Sequence, residues 1–203
     1  MQVRFWGVRG SVAVSGGEFL GTGGNTTCVE VEHEGHRIIL DGGTGLAALG
    51  RHLGSPTNAT VLFTHVHWDH IQGVPFFAPA FHPDSKLTFG GAPGLHSALA
   101  AQMQPPQFPV PLEAFNASID YLELAAEKPI DIGPFRVLPV EMSHPQGVYV
   151  YRIECAGRSV VFATDVEHGP TLDRRLLDLA QGADLLIHDA QYTTSEYLGS
   201  AGG

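Results

Sequence analysis

Three histidines and one aspartate fall within residues 65–70, in the stretch "THVHWDH". His65 and His67 stand two residues apart at the end of an apolar run, and Asp69 and His70 follow within the next turn. Imidazole nitrogens together with a carboxylate suit Zn²⁺, with Mn²⁺ and Fe as alternatives. The short spacing lets the first two side chains converge on one ion and aims the next two at a neighbouring position. Two ions about 3.5–4 Å apart form a clamp for phosphoester hydrolysis and related hydrolyses.

The segments around this cluster predict an α/β protein with the cluster at a strand end. The run just before it, "ATVLFT", is short and nearly all apolar, which is typical of a strand covered on both faces. Further strands are predicted in "QVRFWGV", "TTCVEVEHEGHRIIL", "KLTFGG", "IDYLEL", "FRVLPVEM", "GVYVYRIEC", "RSVVFATD" and "ADLLIHDA". Helices are predicted in "TGLAALGRHL", "PGLHSALAAQM" and "TLDRRLLDLAQG".

Two of these predictions are specific enough to be checked residue by residue. In the last helix, one face is predicted to carry four leucines, which are Leu172, Leu176, Leu177 and Leu179. The stretch "QPPQFPVPLEAF" has four prolines and therefore predicts a rigid loop, not a regular element. We expect this loop to form a wall of the substrate pocket or to lie in a subunit contact.

The composition indicates a compact globular protein. The chain has 203 residues, of which 43% are hydrophobic, enough for a sizeable core. Its net charge is −10, from 11 basic and 21 acidic residues, and an acidic chain does not steer itself onto a phosphate backbone. Long nucleic acids are therefore disfavoured as partners.

The cysteines and the length of the apolar runs predict the cellular compartment of the protein. Cys28 and Cys155 each lie in an apolar strand-like run. Two scattered cysteines without a secretory signal predict reduced, buried thiols in a cytoplasmic protein. No apolar run approaches the length of about 18 residues that a membrane helix needs, so we expect no membrane association.

The motif "THVHWDH" resembles the HxHxDH signature of the metallo-β-lactamase superfamily, and the similarity extends over nearly the whole chain. The resemblance implies an α/β fold, the four-layer αβ/βα sandwich, with two mixed sheets face to face, helices outside and metals at one edge. It implies a single domain over residues 1–203. The family's last histidine ligand has no counterpart after His188, so we expect either that the C-terminal portion is missing or that the second metal site is altered.

The resemblance also implies two divalent ions, zinc first, with manganese or iron as alternatives. The first ion is held by His65, His67 and His144, the last of these in "MSHPQG". The second is held by Asp69 and His70, and Asp165 in "VFATD" bridges the two. A hydroxide that bridges the metals is the implied nucleophile, and Asp69 is a catalytic residue that orients it.

Several of these residues have plainer interpretations, which stay open from the sequence. The histidines could carry no metal at all. Asp41, which resembles a structural aspartate of the family, could be a turn residue, His144 a loop histidine and Asp165 a helix N-cap. His168 could lie beside the site or on the surface.

The stretch "LLIHDAQYT" resembles a segment of ribonuclease Z and its phosphodiesterase relatives in which a histidine lies near the scissile phosphate. By this resemblance His188 is a second catalytic residue, either a general acid or a charge partner for the leaving oxygen. The alternative is a histidine at a strand end in the core.

Together these features predict a metal-dependent hydrolase, most similar to the branch of ribonuclease Z and cyclic-nucleotide phosphodiesterases. The acidic balance favours a small phosphodiester, such as a cyclic nucleotide, over tRNA. The alternatives are a thioester, lactone or β-lactam hydrolase, an RNA-processing nuclease, and a non-catalytic metal-binding regulatory module. A homodimer is expected only from the resemblance.

Overall fold

The protein folds around two β-sheets, and the structure, a computed structural model, describes residues 1–167 and 171–191. The first sheet has six strands in sequence order, namely β1 (Gln2–Gly7), β2 (Cys28–His33), β3 (His36–Leu40), β4 (Asn58–Leu62), β5 (Lys86–Gly91) and β6 (Ser118–Glu123). The second has five, namely β7 (Ile130–Ile132), β8 (Phe135–Met142), β9 (Val148–Cys155), β10 (Arg158–Ala163) and β11 (Leu185–His188).

Both sheets are mixed. In the first sheet, β1, β2 and β3 pair antiparallel and β3 to β6 pair parallel. In the second, β10 and β11 form the only parallel pair among the described strands, at one edge. The α-helices are α1 (Gly45–Leu53), α2 (Trp68–Ile71), α3 (Leu95–Gln102) and α4 (Arg174–Ala180). Within the described residues, no helix has the length and apolar character that a membrane crossing requires.

Three groups of buried side chains show the layers. Leu46 of α1 and Leu99 of α3 pack with Phe89 against the outer face of the first sheet. On β9, Tyr151 points into the cluster between the sheets, whereas its neighbour Val150 points to the outer face, where it packs with α4. The order is thus helix, sheet, sheet, helix, and the predicted four-layer α/β sandwich is confirmed.

The sequence prediction was wrong for the leucine face of the last helix. Helix α4 begins at Arg174 because the Asp173 carboxylate caps it by accepting a hydrogen bond from the Arg175 amide. Leu176 and Leu179 are buried, whereas Leu177 is 52% exposed and Leu172 lies ahead of the helix. The short strand β7 was also not predicted. The prediction of two buried cysteines without a disulfide is confirmed.

The segment that follows β4 is fixed by both sheets. The Phe63 amide donates to the Gly90 carbonyl at 2.8 Å, within the first sheet. From the second sheet, the Tyr151 hydroxyl donates to the Phe63 carbonyl at 2.6 Å, and the Tyr149 amide donates to the Thr64 carbonyl at 2.8 Å. The histidine motif therefore starts from a rigid point at the edge where the two sheets meet.

Candidate metal centre

Six predicted ligands meet at this edge from three parts of the chain. The segment from β4 into α2 brings four of them, the loop after β8 brings His144, and the end of β10 brings Asp165. Five of the six offer ligand atoms within 4.8 Å of one another, in two groups. The groups are His65, His67 and His144, and His65, His70 and Asp165. His65 is common to both groups.

Gln146 sets the orientation of His67. The Gln146 side-chain oxygen lies 2.8 Å from Nε2 of His67. An amide oxygen only accepts, so Nε2 carries the hydrogen and Nδ1 presents its lone pair. That lone pair faces Nε2 of His144 at 3.1 Å.

His144 completes the first group in a corresponding way. Its Nδ1 lies 3.4 Å from the Glu167 carboxylate, too far for a good hydrogen bond but placed to favour the hydrogen on Nδ1. Nε2 of His144 and Nδ1 of His67 are then two lone pairs 3.1 Å apart. A cation bound between them would remove the repulsion, so this pair fits a metal.

His65 provides the clearest evidence that the site fits a cation. Its Nδ1 lies 3.0 Å from the Thr64 hydroxyl, which itself donates to the Asp41 carboxylate and so accepts the hydrogen from His65. Nε2 is then a lone pair, and it is buried without a hydrogen-bond partner among the described residues. A buried polar atom without a partner is costly, and a metal ion would satisfy this one.

The charge state of His65 suits a ligand as well. Burial, followed by the positive charge on His70, lowers the pKa of His65 from 6.5 to about 3. The ring is therefore neutral at ordinary pH, which is the form that binds a metal.

Asp41 orients His70, a member of the second group. It is fully buried, and its carboxylate accepts from the Thr64 amide at 2.8 Å and from the Thr64 hydroxyl at 3.0 Å. It also lies 2.8 Å from Nδ1 of His70. His70 therefore presents Nε2 to Asp165, at 2.9 Å. Asp41 is more than a turn residue, although its φ of +62° does make a tight turn there.

The second group gathers negative charge around His70. Burial alone would lower the pKa of His70, but the carboxylates of Asp41 and Asp165 outweigh it and raise the pKa from 6.5 to about 10. Asp69 adds a third carboxylate, 3.5 Å from Nε2 of His70. A proton on this ring and a divalent ion would compete for the same carboxylates, so the second group also fits a cation.

Asp69 lies at the margin of the second group. Its Oδ2 accepts a hydrogen bond of 2.8 Å from the Ser11 amide, which ties the loop after β1 to the site. The backbone of Asp69 passes so close to Gly43 that a side chain at that glycine would lie 2.5 Å from the Asp69 carbonyl oxygen. The glycine thus permits the close approach. The role of Asp69 in orienting a nucleophile stays a prediction.

A cavity of about 570 Å³ opens beside the second group, and His188 lines it together with His70 and Asp165. His188 is exposed, and its Nδ1 lies 2.7 Å from the Asp189 carbonyl oxygen. This position excludes the alternative of a core histidine. Thr164 also lines the cavity, and its buried hydroxyl has no hydrogen-bond partner among the described residues.

Arg9 is the only lysine or arginine among the described residues that line this cavity. Its Nε donates to the Gly23 carbonyl at 3.1 Å and its Nη2 to the Thr22 hydroxyl at 2.7 Å, while the guanidinium stacks 4.8 Å from the centre of the Phe19 ring. The Gly-rich loop between β1 and β2 thus fixes the side chain of Arg9, which is a residue of the cavity wall.

Sequence reasoning did not identify Arg9, Thr64 or Gln146 as residues of the site. Their contribution depends on loops that fold back onto the ligands. Thr64 is the first residue of "THVHWDH" and Gln146 lies in "MSHPQG", so nearness to a ligand was the signal available for these two residues. His168 lies outside the described residues.

We expect the hydrogen bond from His67 to Gln146 to control metal affinity. Substitution Gln146→Met keeps the length of the side chain and removes the acceptor, so His67 loses its fixed tautomer. Loss of such a partner typically costs about 10–100-fold in metal affinity. The measurement is competition for Zn²⁺ with a chromogenic chelator. Gln146→Glu keeps an acceptor and should stay near the wild-type value; equal affinities for all three proteins would show that the bond has no such role.

Comparisons with known proteins find similar sequences and similar folds. The family model described as "Beta-lactamase superfamily domain" matches residues 36–202. An uncharacterized protein of Mycobacterium tuberculosis (strain ATCC 25618 / H37Rv) is 27% identical over 165 residues, which are 78% of this chain and 58% of that protein. Ribonuclease Z of Mycobacterium bovis (strain BCG / Pasteur 1173P2) is 30% identical over 179 residues, 74% of this chain and 59% of that protein. The chain thus spans less than two thirds of the length of these relatives.

Solved structures show the same fold. The short form of human tRNase Z matches with a TM-score of 0.70 at 18% identity, over 100% of this chain and 83% of that one. The metallo-β-lactamase fold protein YhfI from Bacillus subtilis matches with a TM-score of 0.68 at 17% identity, over 91% of this chain and 68% of that one. At such identities the likeness shows the architecture and not a shared substrate.

Proposed function

Since the chain belongs to the β-lactamase superfamily and has the metallo-β-lactamase fold, we propose that it is a metal-dependent phosphodiesterase for small diesters such as cyclic nucleotides. The observation that carries the proposal is the pair of ligand groups that share His65, beside a cavity lined by Arg9 and His188. The two ligand groups fit metal ions. The cavity supplies Arg9 and His188, the side chains that would bind and protonate an anionic diester.

The chain offers donors for two divalent ions, and the fold implies divalent metal binding. His65, His67 and His144 would hold the first ion, and Asp69, His70 and Asp165 the second. Histidine with carboxylate suits Zn²⁺, and the same donors accept Mn²⁺ or Fe. When bound, such ions activate water at neutral pH and stabilise the charge that develops on a phosphoryl group.

The other residues of the cavity have separate tasks in this proposal. The Arg9 guanidinium binds a non-bridging oxygen of the phosphate, a pairing for which arginine is well suited. The Asp69 carboxylate, held by the Ser11 amide, orients the attacking water by accepting its hydrogen. His188 in its protonated form gives a proton to the leaving oxygen.

Charge supports a small diester as the substrate. The chain carries a net charge of −10, and Arg9 is the single lysine or arginine on the described wall of the cavity. One such residue suffices for one phosphate, whereas RNA engages many. An RNA-processing nuclease is the second candidate, because relatives named ribonuclease Z and tRNase Z are among the similar proteins.

The general-acid role of His188 predicts a dependence on the leaving group. Substitution His188→Gln should lower kcat for 3′,5′-cyclic AMP, whose leaving alkoxide needs a proton, by about 10²–10⁴-fold. Hydrolysis of bis(p-nitrophenyl) phosphate should fall far less, because p-nitrophenolate leaves without a proton. Steady-state kinetics on both substrates test this role. An equal loss of kcat on both substrates would show that His188 is not the general acid.

Arg9 should act on binding more than on turnover. Substitution Arg9→Gln removes one charge-assisted contact to phosphate, so KM for an anionic diester should rise about 10–100-fold with kcat nearly unchanged. Arg4→Gln is the matched control, since Arg4 lies on β1 and does not line the cavity. If both variants change KM alike, the effect comes from overall charge and the assignment of Arg9 is wrong.

A substrate panel tests the proposed function itself. Zinc-loaded protein is assayed on bis(p-nitrophenyl) phosphate, 3′,5′-cyclic AMP, a pre-tRNA, and chromogenic thioester, lactone and β-lactam substrates. We expect kcat/KM to be highest for a small diester. Preference for the thioester, lactone or β-lactam would assign another hydrolase class, cleavage of pre-tRNA alone would assign the nuclease, and metal binding without any hydrolysis would point to a regulatory module.

A further inference from the structure

An apolar cavity of about 710 Å³, within the size range of small-molecule sites, is lined in part by Val12 and Ala13 of the loop that follows β1. Trp68, which stands inside the histidine motif between His67 and Asp69, forms part of its wall. Val12 lines both this cavity and the one that contains His188. The two cavities therefore share one wall residue, in a loop that is tied to Asp69 through the Ser11 amide.

The wall of this cavity presents exposed aromatic rings. Trp68 is 69% exposed and Phe76 is 61% exposed, although both are large apolar side chains. Phe76 meets Phe108 edge to face, with ring centres 5.8 Å apart. Phe108 belongs to the Pro-rich loop for which a place in the pocket wall was predicted. An uncovered indole in this position is a surface on which a flat ring can stack.

The polar groups of the wall are all neutral. The described residues that line the cavity include no lysine, arginine, aspartate or glutamate, but they do include three glutamines, Gln72, Gln102 and Gln107. The Gln102 amide donates to the Ile71 carbonyl at 2.9 Å, which fixes it and leaves its oxygen as an acceptor. Carboxamides pair with the edges of nucleobases. The occupant that fits is planar, neutral and able to form hydrogen bonds at its edge.

Resting on the proposed phosphodiesterase function, we propose that this cavity is the nucleobase subsite, in which the base of a nucleotide substrate stacks on Trp68. The phosphate lies at the ligand groups and Arg9, and the base passes Val12 into the neutral cavity. The separation of charged and uncharged walls matches the two ends of a nucleotide. The subsite would make the enzyme prefer nucleotide diesters over diesters without a base.

A binding experiment tests the subsite without requiring catalysis. The chain has two tryptophans, Trp6 and Trp68, so a Trp6→Phe variant reports on Trp68 alone. We expect adenosine 5′-monophosphate to quench the emission of Trp68 in a saturable manner and ribose 5-phosphate to leave it unchanged. Equal quenching by both compounds, or none by either, would overturn the proposal.

Kinetics provide the second test. Trp68→Ala should raise KM for 3′,5′-cyclic AMP by about 5- to 150-fold, the range expected for loss of one stacked base. KM for a cyclic phosphate of glycerol, which has no base, should not change, and Trp68→Phe should recover most of the affinity. The control is Phe81→Ala, which removes an aromatic residue that is 38% exposed and lies outside the cavity. An equal change on both substrates would contradict the subsite.

The outcomes also separate this inference from the proposed function. If wild-type protein hydrolyses neither cyclic diester but the Trp68 emission of the Trp6→Phe variant responds only to the nucleotide, the phosphodiesterase proposal fails and the base site stands. If it hydrolyses both diesters with the same kcat/KM and Trp68→Ala has no effect, the subsite alone is wrong. A change of sedimentation coefficient in Trp68→Ala, without nucleotide quenching, would assign this surface to contact with a second copy.

Discussion

Replacement of His65 by alanine is expected to remove most of the metal from the first site, which His65, His67 and His144 form. His65 offers one lone pair, on Nε2, and this atom is buried without a partner among the described residues. Loss of a residue that merely orients a ligand costs about 10–100-fold in affinity, and loss of the ligand itself should exceed the upper end of that range. Metal per chain after gel filtration, and hydrolysis of bis(p-nitrophenyl) phosphate, are the measurements.

A comparison with His144→Ala makes this prediction specific. His144 belongs to the same first group as His65, so its loss should lower the metal content to a similar extent and leave Asp69, His70 and Asp165 able to hold the second ion. His36→Ala is the control, because His36 is exposed on a hairpin strand and belongs to neither group. If His65→Ala retains the wild-type metal content and activity, the ligand assignment is wrong. If His65→Ala and His144→Ala differ widely in metal content, the two histidines do not hold the same ion.

Asp41→Ala is expected to give the largest loss of stability. The substitution leaves the Thr64 amide, the Thr64 hydroxyl and Nδ1 of His70 without their buried acceptor. Removal of one partner from a buried charge pair costs about 3–5 kcal/mol, which is a large part of the roughly 5–15 kcal/mol that stabilises a typical domain. Urea unfolding of metal-free protein, monitored by circular dichroism, measures the change in the free energy of unfolding.

The Asp41→Asn variant separates the effect of losing the carboxylate charge from the effect of the left-handed backbone at residue 41. Asn tolerates the left-handed φ of +62° at this position as well as Asp does, and its side-chain oxygen can still accept one hydrogen bond. We therefore expect an intermediate loss of stability, together with weaker binding of the second metal, because His70 is no longer opposite a carboxylate. A free energy of unfolding for Asp41→Ala within about 0.5 kcal/mol of the wild type, the range of ordinary surface substitutions, would contradict the role assigned to Asp41.

The sequence was most informative where one short segment carries the chemistry. The apolar run before His65 and the spacing through His70 were enough to predict a strand end with converging ligands. His144 lies 77 residues beyond His67 in the chain, and its place 3.1 Å from that ring could be expected only from the family resemblance. Local patterns do not report which distant loops meet at the edge of a sandwich.

The features that the sequence missed depend on tertiary contacts. Arg9 acquires its place from bonds to the far end of its own loop, and Gln146 from the ring of His67. The predicted leucine face of α4 was wrong because the Asp173 cap, and not the spacing of the apolar residues, determines where that helix begins. The number and identity of the metals, the substrate, a cytoplasmic location and a homodimer stay predictions or proposals.

A metal titration, with activity measured on the same samples, tests the proposal of a two-metal phosphodiesterase directly. Protein freed of metal with a chelator is titrated with Zn²⁺, and both bound metal per chain and hydrolysis of bis(p-nitrophenyl) phosphate are recorded. We expect no activity without metal and a rise that reaches its plateau near two ions per chain. Hydrolysis without metal, or two bound ions without any diesterase activity, would contradict it.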